Sequence, residues 1–89
     1  MKAVITVVGK DTVGILATVS NECAKFNANI IDVSQTIMQD MFCMIMMVEV
    51  EEISVPFKNF VESMKEKGKE KNLSIHVMHE DIFNSMHRI

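Results

Sequence analysis

Apolar residues occupy both parities of residues 2–9, KAVITVVG. Side chains alternate across a strand, so such a run predicts a central strand covered on both faces. Within residues 13–27 the spacing changes. Leu16, Val19, Cys23 and Phe26 recur at helical intervals and make one apolar stripe, with Ser20, Asn21, Glu22 and Lys25 largely on the other side. Asp11 or Thr12 can cap this helix by accepting from a first-turn N–H. Gly14 in that turn leaves the backbone open, and Asn27 or Asn29 suits a left-handed position at the far end. Period two returns in residues 30–39, IIDVSQTIMQ. Ile31, Val33 and Ile37 share one face, Gln35 being the exception, and Asp32, Ser34 and Thr36 share the other. Asp40-Met41 predicts a tight turn into FCMIMMVEV, which is apolar on both faces until Glu49. Phe42, Met44, Met46 and Val48 fall on one side of it and Cys43, Ile45 and Met47 on the other.

After a loop over 51–55, Pro56 suits the first helical position, where its missing N–H costs nothing. Phe57, Phe60, Val61 and Met64 form the next stripe. KEKGKEK, residues 65–71, reads as a solvated helix end whose last turn Gly68 weakens. LSIHVMH alternates again, with Leu73, Ile75 and Val77 opposite Ser74, His76 and Met78. In the tail, Asp81 is a candidate N-cap, and Ile82, Met86 and Ile89 follow at i, i+4 and i+7. That short helix cannot stand alone and must dock. The order β-α-β-β-α-β plus a tail helix predicts an α+β, ferredoxin-like sandwich: a four-stranded antiparallel sheet with two helices on one face. It is read as one domain over residues 1–89, with a core over 1–80 and a C-terminal helix over 81–89. The first and third strands are central in that topology, and they are the two runs apolar on both faces. The second face of the third strand therefore calls for cover by another chain.

Composition narrows the classes. The 89 residues are 48% hydrophobic with a net charge of −3 and pI near 5.5. A chain this short buries only about two-thirds of its unfolded surface and gains from a partner. The acidic balance argues against nucleic acid or an anionic membrane as partner. No apolar run approaches the roughly 20 residues of a membrane helix. Residues 1–11, MKAVITVVGKD, are apolar for only six residues after Lys2 and lack a small-residue cleavage site, so they do not read as a signal peptide. Cys23 and Cys43 form no C-x-x-C and fit a reducing cytoplasm as small buried hydrophobes.

Candidate chemistry is sparse. Ser20, Cys23 and His76 share no local spacing that assembles a catalytic set, so no enzyme is predicted, and no cofactor. His76 and His79 point to opposite faces of a strand and cannot chelate together, so no metal site is predicted. His87 and Arg88 suit pairing with Glu80 or Asp81 to pin the tail. Met38, Met41, Met44, Met46 and Met47 read as core packing plus a homodimer interface, or as an adaptable partner-binding face. The loop 11–14 opens a helix, whose N–H groups favour a carboxylate. Asp11 suits an ammonium, and Asn29, fifteen residues after Gly14, both donates and accepts. On residue types alone, D-x-x-G is also an ordinary capped turn.

Asp11, Gly14, Ile15, Leu16, Asn29 and Ile30 together resemble the signature of the ACT domain, a small regulatory module that binds amino acids. The element order over residues 1 to about 80 is similar too. The tail from His79 to Ile89 resembles small stand-alone members akin to the ACT halves of the glycine-cleavage repressor and of formyltetrahydrofolate deformylase. Val13 departs from the family's frequent proline. Gly9 departs from the histidine of serine-binding members. The resemblance implies domains that pair side by side or face to face, with ligand at the interface between the first loop of one subunit and the second-strand start of its neighbour. It nominates Asp11, Val13, Gly14, Asn29 and Ile30 as ligand-binding. It also implies a homodimer that senses an amino acid and signals to a separate protein partner. The alternative is a ligand-free dimerisation or protein-interaction module.

Overall fold

In a computed structural model, residues 1–10 and 13–86 are described. The chain runs β1 (Lys2–Lys10), α1 (Ile15–Lys25), β2 (Asn29–Met38), β3 (Met41–Glu49), α2 (Phe57–Glu70), β4 (Leu73–His79) and α3 (Glu80–Met86). The four strands form one antiparallel sheet in the order β2-β3-β1-β4. β1 and β3 are therefore central, as their two-faced apolar pattern requires.

Alternation decides what lies beneath the helices. Ala3, Ile5 and Val7 of β1 sit in register with Val48, Met46 and Met44 of β3, and Val7 faces Ile75 of β4. All are buried, with Val19 and Cys23 of α1 and Phe60 and Met64 of α2 closing the same core. Phe26 meets Phe60 edge-on at 5.8 Å, the arrangement that aromatic quadrupoles favour. At Gly68 the helix backbone presses on β4. A Cβ there would lie 2.7 Å from the Leu73 carbonyl oxygen and 3.0 Å from Ile75 Cγ1. Gly68 thus sets the closeness of α2 to β4 rather than merely weakening the last helical turn.

Several local expectations are corrected. The N-cap of α1 is Gly14, and no side chain caps it. The helix starts at Ile15, so the buried stripe is Ile15, Val19, Cys23 and Glu22, while Leu16 is 41% exposed. Glu22, expected on the polar side, is only 6% exposed. It accepts from the Ser63 hydroxyl at 3.2 Å and lies 3.8 Å from Lys67 Nζ, so two neighbours offset its desolvation. Lys67 consequently belongs to the helix–helix seam rather than to a freely solvated end. The β2–β3 turn is Gln39-Asp40, one residue early, with Gln39 at φ 61. A bulge at Ile31 separates the Ile30 and Asp32 pairs. This puts Val33, Gln35 and Ile37 in register with the helix-side residues of β3, yet all three stay exposed at the sheet edge. Pro56 is the N-cap of α2 and not its first residue. Cys43 is half-buried rather than buried. Asn27, at φ 61, ends α1 in the left-handed conformation expected of Asn27 or Asn29.

β4 passes directly into α3. The Asp81 N–H donates to His79 Nδ1 at 3.2 Å, so His79 takes the capping role expected of Asp81. Asp81 Oδ2 also lies 3.6 Å from His79 Nδ1. The proposed pairings of His87 and Arg88, and the docking of Ile89, fall outside the described residues.

Candidate functional site

The loop between β1 and α1 is open at Gly14. Its φ of 88° and ψ of 12° are left-handed, and an added Cβ would meet nothing within 4 Å. The first helical bond runs from the Thr18 N–H to the Gly14 carbonyl at 2.9 Å. The N–H groups of Ile15, Leu16 and Ala17 precede it and have no acceptor within the helix. Val13 is fully exposed at 104% and projects from the loop. Asp11, nominated for an ammonium, lies outside the described residues. Gly9 is closed to larger side chains, because a Cβ there would lie 2.6 Å from Leu73 Cδ2. A histidine at this position would require Leu73 to move.

Asn29 and Ile30 sit at the other end of the sheet. Asn29 is exposed and pairs with Glu49, which pairs with Lys2 at the start of β1. Lys10, where the loop begins, pairs with Met41, which pairs with Met38 at the end of β2. Eight residue steps of strand separate the two ends, about 26 Å. One chain therefore does not bring Gly14 and Asn29 together. Ile30 is half-buried against the core and anchors the strand that presents Asn29. Glu49, opposite Asn29, was not singled out by its residue type. The Met1 ammonium, 2.9 Å from Glu49 Oε1, holds its carboxyl below the usual glutamate range and keeps a negative charge beside Asn29.

Other candidate chemistry stays dispersed. Cys23 is buried on the helix side of the sheet, and burial pushes its thiol up to about 11. His76 pairs with Thr6 on the opposite face. The sheet thus lies between Cys23 and His76. Among the described residues, no three His, Cys, Asp or Glu side chains converge to hold a metal. A shallow cavity of about 290 Å³ follows the free edge of β4 beside α2, lined by Lys65, Lys69, Leu73, Ser74, Ile75 and His76. None of the nominated residues lines it. Among the described residues, no helix is long and apolar enough to cross a membrane.

The sequence pattern of the ACT domain matches residues 2–78. A UPF0237 protein of Listeria innocua is 48% identical over 89 residues, covering all of both chains. An ACT domain protein from Streptococcus pneumoniae superposes with a TM-score of 0.82 at 38% identity, covering 98% of each chain. A candidate glycine cleavage system transcriptional repressor superposes with a TM-score of 0.71 at 25% identity, over 89% of this chain and 47% of that one. The fold is also shared with a formyltetrahydrofolate deformylase from Pseudomonas syringae pv. tomato. There the TM-score is 0.78 at 22% identity, over 88% of this chain and 27% of that one.

Proposed function

The chain belongs to the ACT domain family, and on that premise we propose that it is a regulatory homodimer binding an amino acid or related metabolite where two subunits meet. One observation carries this reading. The open Gly14 loop and Asn29 occupy opposite ends of the sheet, and between those ends runs an uncovered edge strand of 10 residues. β2 exposes Ile31, Val33 and Ile37, and Leu16 is exposed on α1, the helix that packs beside β2. Pairing two copies of β2 antiparallel about a two-fold axis places the Asn29 end of each beside the Met38 end of the other. Met38 shares its end of the sheet with Lys10 and the Gly14 loop. Each half-site is thereby completed by its neighbour. The free N–H groups of Ile15 to Ala17 suit a carboxylate. Asn29 and Glu49 supply acceptors for an ammonium, the residue type of Asp11 suits the same role, and Val13 and Ile30 adjoin Gly14 and Asn29 in sequence.

Ligand that joins two subunits stabilises the dimer by mass action, so assembly is itself a readout. A separate cytoplasmic protein would receive it. Equilibrium dialysis and thermal shift against the common amino acids test the reading. The expected result is a shift with one chemical class, abolished by Asn29→Ala with the fold retained. Absence of binding at millimolar concentrations of every one would sink the sensing role and leave a ligand-free interaction module.

A further inference from the structure

The sheet has two edges, and the one opposite β2 is β4. α2 turns back into β4 through Lys71-Asn72, so helix and strand run side by side in opposite directions. Gly68 lets the helix press close, since a side chain there would strike the Leu73 carbonyl and Ile75. Lys65 and Lys69 each follow a buried residue of α2, Met64 and Gly68, and so flank the line of contact. With Leu73, Ser74, Ile75 and His76 they line the shallow cavity along the edge. Among the described residues, the backbone of residues 73–78 hydrogen-bonds only within the sheet. Such an edge offers alternate N–H and C=O groups to an incoming chain. No carboxylate lines the cavity, although the whole chain carries a net charge of −3. Lys65 pairs with no described carboxylate. Lys69 has Glu66 at 3.8 Å, an exposed pair that contributes little in water.

We propose that the β4 edge takes an acidic segment of another protein as an added strand, with alternate carboxylates on Lys65 and Lys69. The spacings agree. Four residues of helix separate the lysines by about 6 Å of rise, and alternate side chains of a strand stand about 6.6–6.8 Å apart. A strand laid along β4 therefore sets successive helix-side carboxylates against both ammoniums, while its main chain pairs with the open backbone groups. Its other side chains fall beside Ser74, whose hydroxyl lies 3.1 Å from His76 Nε2. Small polar or β-branched residues suit that side. Lysines commonly guard sheet edges against unwanted pairing, and here they also select. A second copy of β4, paired about a two-fold axis, would bring two sets of Lys65 and Lys69 along one seam, and like charges oppose it. A small anion would meet two solvated ammoniums in an open groove, without the main-chain bonds that a strand adds. β4 lies across the sheet from β2, so this docking requires neither the amino-acid site nor the pairing of β2.

Fluorescence anisotropy of the full chain with a labelled, capped peptide, Thr-Glu-Val-Glu-Val-Glu-Thr, tests the docking at low salt. The peptide should bind, and its lysine counterpart, Thr-Lys-Val-Lys-Val-Lys-Thr, should not. A double variant, Lys65→Glu with Lys69→Glu, should weaken binding by about tenfold or more with an unchanged circular dichroism spectrum. Lys25→Glu with Lys58→Glu alters the net charge equally, away from the cavity, and should bind like the wild type, as should Asn29→Ala. Methylating the peptide's amide nitrogens at either the valines or the glutamates separates strand addition from loose attraction. One set faces β4 and should abolish binding, and the other should leave it intact. Absence of binding at millimolar peptide overturns the proposal. So does equal binding by the lysine peptide or by the Lys65→Glu, Lys69→Glu variant, or indifference to both methylations. Displacement by millimolar inorganic phosphate at constant ionic strength would mark a small-anion site instead. A fall in the chain's own sedimentation mass in the Lys65→Glu, Lys69→Glu variant would give the edge to a second copy, and either result refutes an acidic partner strand.

Discussion

Gly14→Ala isolates a backbone cost from a packing cost. A methyl group at this position meets no atom within 4 Å, so it creates no clash in the folded chain. The whole folded-state penalty comes from holding an L-residue at φ 88°, where its Cβ crowds the following carbonyl. That costs about 1–2 kcal/mol. Alanine also narrows the unfolded ensemble, which offsets about 0.4–1 kcal/mol. The net expectation is a loss of about 1 kcal/mol. For a domain of this size, that lowers the melting temperature by roughly 4–8 °C. With a urea slope near the lower end of the usual range, about 1 kcal/mol per molar, the midpoint moves down by about 1 M. Asparagine tolerates the left-handed region, so Gly14→Asn should recover much of this stability. Its side chain would still fill the mouth of the loop, so ligand response should stay lost in both variants. Urea unfolding followed by circular dichroism measures the first part, and thermal shift with amino acids the second. An alanine variant that unfolds at or above the wild-type midpoint would refute the argument. It would mean that Gly14 is not confined to this conformation.

Three further outcomes follow from contacts elsewhere. Gly68→Ala gains about 1 kcal/mol of helix propensity but drives a methyl to 2.7 Å from the Leu73 carbonyl oxygen, an overpacking that costs about 1–3 kcal/mol, so urea denaturation should show a net loss. Lys67→Met should cost about 1 kcal/mol in the same assay, because buried Glu22 then keeps only Ser63; Lys69→Met, whose partner Glu66 is an exposed residue 3.8 Å away, should cost almost nothing. Buried Cys23 gives a pH dependence. Below the unfolded thiol's pKa of about 8.5 both states are protonated and its contribution is complete. Between there and about 11 the unfolded chain ionises while the folded one does not, so stability falls. Wild type should therefore lose more stability than Cys23→Ala between pH 8 and pH 10.5, and parallel urea midpoints at the two pH values would contradict this.

Strand faces were legible because a period of two leaves no freedom of phase. Once Phe42, Met44, Met46 and Val48 are assigned inward, Cys43, Ile45 and Met47 must face the other way, and the register places them so. Helix α1 was less legible because Ile15 and Leu16 are equally apolar neighbours. The turn at Gly14 fixes which of them begins the buried stripe, and it also swings Glu22 inward. No local pattern marks a buried glutamate whose partners, Ser63 and Lys67, arrive from another helix. The same holds for Gly68, whose role depends on β4 pressing against it. In the candidate site, Gly14 and Asn29 could be named from their residue types and spacing. Their separation along one chain could not, since it follows from the direction in which β1 and β2 run.

That separation has a genetic corollary. If each pocket takes its loop from one subunit and its amide from the other, two differently damaged alleles can repair each other. A dimer assembled from one chain altered at Gly14 and one altered at Asn29 has one pocket carrying both lesions and one carrying neither. Co-expressed in equal amounts, the two defective products would regain about a quarter of the sites, although neither regains any alone.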